Sequence, residues 1–256
     1  MAAGLATYPL LTNIVGRCWH RPFSPHFYIN QVKPLAVRDA LIAMFARWGL
    51  PGAIKVDNGE PFGDPMRKSI PTLALWLISL DITVIWNRPN QPTDNAVVER
   101  MQGTSQRWAE VEECASYQEL DHRLADVALV QREQYGVSRL GYQTRLKTYP
   151  KLEEVTPVDA YEQFDAQRAY AYLAQVRLVR RVGKNGSLSL NGYKYYLGRD
   201  YMKQEVGVGF DANRCTWLFY DQFDELITEI EAKTLTPEHL WSIAVTCAEA
   251  ETFCRE

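Results

Sequence analysis

The run Ala53-Ile54-Lys55-Val56-Asp57-Asn58-Gly59, followed by Arg88-Pro89 and then by Asn95-Ala96-Val97-Val98-Glu99-Arg100, decides how this chain is read. Ala53 to Val56 suits a short buried strand, and an Asn-Gly pair turns a chain sharply, so Asp57 is expected at the strand's carboxyl end. Open α/β sheets keep their chemistry at that end. From Asn95 to about Glu112 apolar and charged residues recur at helical spacing, which places Glu99 in the first turns of a helix delivered by the Pro-rich loop before it. Two carboxylates converging on one sheet edge can hold Mg²⁺ through oxygen. Read alone, Asp-Asn-Gly is a turn signal and Glu99 a surface acid. The order strand, helix, strand, Pro loop, helix is what joins them.

The surrounding text extends the pattern. Phe45-Ala46-Arg47-Trp48-Gly49-Leu50-Pro51 leads into the Asp57 strand, Trp76-Leu77-Ile78-Ser79-Leu80-Asp81-Ile82 into the next strand, and Asn87-Arg88-Pro89-Asn90-Gln91-Pro92 into the Glu99 helix. With these segments, residues 35 to 108 resemble the DDE transposases and retroviral-type integrases, in particular bacterial insertion-sequence transposases with an integrase catalytic region. The resemblance implies an α/β, RNase H-like mixed sheet, with Asp57 and Glu99 as the second and third catalytic acids and as metal ligands. It also implies Mg²⁺ or Mn²⁺ as cofactor, DNA as substrate, cleavage and transfer of strands as the activity, and a homo-oligomer. The separation 99 − 57 = 42 is longer than is usual in that family, and Phe62-Gly63-Asp64-Pro65 fits a loop insertion.

The family's first catalytic Asp has no counterpart. Before Asp57 the sole acid is Asp39, in an amphipathic helix begun by Pro34, where it is expected to face solvent. Leu10 to Gly16 resembles the family strand that follows the missing one, so the expectation is a transposase lacking its amino-terminal part. The absent Asp would bridge both ions of a two-metal site. Without it, Asp57 and Glu99 are expected to hold metal weakly and the chain alone to be inactive, which leaves a noncatalytic DNA-binding or self-associating remnant as the alternative. Asp64 and Asp94 read as turn and cap residues.

Composition limits the rest. With 256 residues, 46% of them hydrophobic, the chain can bury more than one small core. A net charge of −3 is the wrong sign for coating nucleic acid, so any DNA surface must be local. Five cysteines without a C-x-x-C pair suggest neither a disulfide framework nor a zinc site, and point to a reducing cytoplasm. No apolar run reaches membrane-spanning length and no signal peptide is evident, so no membrane is expected.

Along the chain, residues 1–112 read as the α/β core, 113–170 as a helical connector, 171–232 as a small β-barrel and 233–256 as a last helix. Ser116 caps a connector helix reaching to about Tyr135, with Leu120, Leu124, Val127 and Val130 as its apolar stripe. Thr156-Pro157 opens a short helix through Phe164. Leu188 to Leu197 is the clearest hairpin, turning at Asn191-Gly192, and resembles part of the SH3-like barrel that follows the core in this family. DNA contacts are expected from Arg100 and Arg107, on one face of the Glu99 helix, and from the basic cluster Arg177, Arg180, Arg181 and Lys184. A solvated helix face and exposed strand charges explain the same residues. Trp108, Trp217 and Trp241 are expected in cores.

Overall fold

The computed structural model describes residues 10–16, 21–28, 33–56, 58–59, 61–63, 70–88, 91, 93, 96–148 and 157–243. Its strands are β1 (Leu10–Gly16), β2 (Arg21–Tyr28), β3 (Ala53–Val56), β4 (Thr83–Trp86), β5 (Leu178–Arg181), β6 (Ser187–Leu190), β7 (Tyr193–Tyr196), β8 (Glu205–Asp211), β9 (Thr216–Tyr220) and β10 (Leu226–Glu231). Its helices are α1 (Pro34–Trp48), α2 (Thr72–Ser79), α3 (Ala96–Ala109), α4 (Tyr117–Leu129), α5 (Arg145–Thr148), α6 (Ala160–Gln163), α7 (Ala166–Ala174) and α8 (Pro237–Ser242). The architecture is mixed α/β with several sheets. Contacts divide the chain into two compact units, residues 1–49 with 87–159, and residues 50–86 with 160–256.

In the first unit, β1 and β2 pair antiparallel, α3 lies against β1 and α4, and α4 lies against β2. The second strand runs from Arg21 to Tyr28. Helix α1 starts with Pro at its first position, where a missing N–H costs nothing, and buries Val37, Leu41, Met44 and Phe45. Asp39 is exposed as expected and pairs with the buried Arg38 at 2.7 Å. Helix α4 starts as the sequence suggests: Glu119 N donates to Ser116 Oγ at 3.1 Å, and Ala115 N donates back to Glu119 Oε2 at 2.8 Å. That reciprocal pair satisfies two amides the helix leaves open. The Ala115 amide, and then Arg123, hold the Glu119 carboxyl below its ordinary range. Ser116→Ala is expected to lower the unit's stability by about 0.5–2 kcal/mol, read as a shift in thermal unfolding. Leu120, Leu124 and Val127 are buried as the stripe requires, with Ala109 and Cys114. After Leu129 the helix widens into a π turn, 130–134, that buries Gln131 and Arg132. The Arg132 guanidinium lies 5.3 Å from the centre of the Trp48 ring, and Arg47 lies 4.7 Å from it.

The second unit joins two stretches of chain around one core. Strands β3 and β4 pair parallel and in register, Ala53↔Thr83 to Val56↔Trp86, and α2 is the crossover between them. Helix α2 is apolar nearly all round and accordingly buried, Leu73 to Leu77 being at most 1% exposed. Ala74 and Leu75 share a core with Ala169 and Leu173 of α7 and with Val206, Val208, Phe210, Trp217 and Phe219 of the sheet. Helix α7 departs from the expectation of a short helix ending at Phe164 and a β-barrel beginning at residue 171, since it runs into that region as far as Ala174. Asp165 caps α7 by accepting from Gln167 N at 2.9 Å. Tyr170 on α7 donates to Leu235 O at 2.6 Å, and burial raises its phenol well above the ordinary value.

Strands β10-β9-β8-β5 form a four-stranded antiparallel sheet, and β6-β7 a separate hairpin on the same core. Among the described residues the strands do not close into a barrel. The hairpin turns at Asn191-Gly192, with φ of 46° and 80° as a two-residue type I′ turn demands, and pairs Leu190 with Tyr193. Burial pushes the Tyr195 phenol up to about 12.

Trp217 is core as expected, and Trp241 packs among Tyr161, Phe164 and Trp76 at 5.0, 5.4 and 6.2 Å between ring centres. Trp108 differs. It is 38% exposed and set edge-on against Tyr135, at the margin of the α3 face that buries Met101, Ser105 and Ala109. Helix α8 begins with Thr236 accepting from His239 N and ends at Ser242, before a left-handed Ile243 with φ of 51°, so of the helix expected over 233–256 the structure gives 237–242, and residues 244–256 lie outside the described residues. Among the described residues no helix is long and apolar enough to cross a membrane.

Candidate functional site

Parallel pairing brings the carboxyl ends of β3 and β4 side by side at Val56 and Trp86. The chain leaving β3 turns back toward that edge: Phe62 N and Gly63 N both donate to Gly59 O, at 3.1 and 2.9 Å, and Trp86 Nε1 donates to Phe62 O at 3.2 Å. A crossover helix between two in-register parallel strands is the arrangement in which α/β folds place reacting groups beyond the strand ends. Asp57 itself, with Asp64 and Asp94, lies outside the described residues.

Glu99 is exposed in the first turn of α3, in the first unit, and belongs to the acidic start that suits a helix's positive end. Two divalent ions require several converging carboxylates. Among the described residues no group of three or more His, Cys, Asp or Glu side chains comes together, and Glu99 is the single described member of the expected pair. Arg100 and Arg107 are exposed on the same helix, with Arg107 Nε donating to Gly103 O at 3.3 Å. Beside Arg107 and Trp108 runs an open groove bordered by Arg123, Asp126 and Val127. Its charges are mixed, and Arg123 is held by Glu119 at 2.8 Å and Glu110 at 3.0 Å.

The basic cluster of the second unit is separated by the strand geometry. The Arg177 guanidinium lies over the Tyr220 ring, 3.6 Å from its centre, in ion pair with Asp224. Gly207 and Gly209 make the room: a Cβ at either would sit 3.3 Å from the Arg177 guanidinium. Alternation along β5 then sends its two arginines apart, the half-buried Arg180 donating to Ser189 O at 2.7 Å and the exposed Arg181 donating to Lys203 O at 3.1 Å. Lys184 is exposed in the turn before β6.

No family model matches the chain.

Sequence reading brought together by proximity along the chain what the structure sorts by face. It also passed over Lys194 and Tyr196. Both are exposed on β7, opposite Ser189 and Ser187, while Tyr195 and Leu188 between them are buried. The alternation Tyr193-Lys194-Tyr195-Tyr196, counted outward from the Asn-Gly turn, carries that signal in the sequence.

Proposed function

We propose that the chain is a DDE-type transposase or retroviral-type integrase, with an RNase H-like core and an SH3-like barrel, that works on DNA in the cytoplasm and self-associates. In this reading Asp57 and Glu99 are the carboxylates that hold Mg²⁺ or Mn²⁺, and the metal supplies the charge stabilisation for cleaving and joining strands. The observation that carries it is the β3-α2-β4 unit, whose strands are parallel and in register and lead to Asp57 on one side and toward the Glu99 helix on the other. That supports the order of elements on which the resemblance rests.

Because the chain alone is expected to be inactive without a first catalytic Asp, the test incubates the protein extended upstream by a strand that carries one with labelled duplex oligonucleotides in Mg²⁺ or Mn²⁺, with products resolved on a denaturing gel. Shortened or joined strands that disappear in EDTA are the expected result. A second reading, a noncatalytic nucleic-acid-binding remnant, is favoured by the concentration of charge between residues 177 and 203, where seven basic residues face one acidic residue in a chain of net charge −3. It expects salt-sensitive binding that survives EDTA, with intact strands throughout.

A further inference from the structure

We infer that the outward face of the β6-β7 hairpin is a binding surface for single-stranded nucleic acid, with Tyr196 as the stacking side chain and Lys194, Lys184 and Arg180 as its phosphate contacts. The inference rests on the reading that the chain handles nucleic acid, but it needs neither catalysis nor metal.

Four observations converge on this face. The hairpin register puts Lys194 and Tyr196 on the side away from the core, each opposite a small serine, so nothing on the partner strand screens them. Tyr196 is 60% exposed. Its ring edge lies near Gly186, where a Cβ would approach Tyr196 Cε2 to 3.0 Å and Gly198 O to 2.5 Å. Gly186, with φ of 77°, therefore lets the turn come close to the edge of the ring, while most of Tyr196 stays exposed. The same turn carries Lys184, and Asn185 Oδ1 fixes it by accepting from Ser187 N at 3.2 Å. Arg180 reaches the hairpin from β5 through Ser189 O, the residue paired with Lys194.

An exposed aromatic ring beside a glycine turn and flanked by cations on a short hairpin is the combination that holds an unpaired base by its face and its backbone by charge. A duplex offers no open base face to Tyr196, so strand state separates this surface from a general phosphate patch. Arg177 is not part of it, being committed to Tyr220 and Asp224.

The experiment measures fluorescence anisotropy of the full chain with a labelled 20-nucleotide single strand, and with the duplex of the same sequence, in EDTA across a salt series. The wild type is expected to prefer the single strand. Tyr196→Ala is expected to weaken single-strand binding by roughly 5- to 100-fold, the range for one stacked base, with the salt dependence unchanged. Tyr196→Phe should retain binding. Lys194→Ala should lower the slope of log K against log salt by about 0.7, one phosphate on a single strand. Circular dichroism confirms that each variant is folded. No binding, a preference for the duplex, or a Tyr196→Ala protein that binds as the wild type does would each overturn the assignment. Because binding is read in EDTA, where no metal-dependent cleavage takes place, loss of this surface and failure of the catalytic reading give different results.

Discussion

In the protein extended by a strand carrying a first catalytic Asp, Glu99→Gln is expected to lower metal-dependent strand cleavage by well over about 100-fold, because even the outer partners of a metal ligand are worth about 10- to 100-fold when removed. The substitution removes the carboxylate's charge and keeps the side chain's size. A hard divalent cation takes oxygen ligands and loses most from the missing charge. Glu99 is exposed in the first turn of α3, and glutamine is nearly as good a helix former, so folding stability should move by no more than about 0.5 kcal/mol. The comparison of gel assay and unfolding curve is what makes the result readable. Lost cleavage with an unchanged curve assigns Glu99 to the reaction, whereas undiminished cleavage removes it from the site.

Trp217→Ala should be the most damaging change to the fold of the second unit. Trp217 on β9 is 2% exposed and meets the Phe210 ring edge-on at 5.1 Å. It belongs to the cluster that joins α2 and α7 to the sheet. Truncating a buried Trp costs about 3–5 kcal/mol through lost transfer energy and the cavity left behind. A typical domain has only about 5–15 kcal/mol in total. Urea unfolding followed by circular dichroism is expected to show a midpoint displaced accordingly, and Trp217→Phe an intermediate one. A loss below about 1 kcal/mol in the alanine variant would mean that the two stretches of this unit do not depend on one core.

Much of the local structure was legible in the sequence. Pro34 began α1, Ser116 capped α4, and Asn191-Gly192 turned the hairpin, because in each the chemistry of one or two residues sets the backbone without help from elsewhere. Strand β3 took the limits Ala53 to Val56 that its residues suggest. What was hidden depends on residues far apart in the chain. Helix α7 has its own cap, yet its apolar residues sit beside aromatic ones that also suit strands, and its packing against α2 fixes the outcome. The fate of Arg177 depends on Asp224, forty-seven residues away, and on two glycines of a strand it does not belong to. On the candidate site, the sequence supplied Glu99 and the strand leading to Asp57, and could not foresee which face each arginine of the basic cluster would take.

Each compact unit is assembled from two separated runs of chain, and this bears on how the protein is made. As it emerges from the ribosome, the stretch 50–86 precedes its partner 160–256 by the 73 residues from 87 to 159. At about 5–20 residues per second that is a wait of roughly 4–15 s. During it the apolar helix α2 has no native neighbour in the second unit beyond β3 and β4. A nascent chain of this design offers a hydrophobic segment to chaperones while those 73 residues are made, and slowing translation within 87–159 should lower the soluble yield more than slowing it after residue 243.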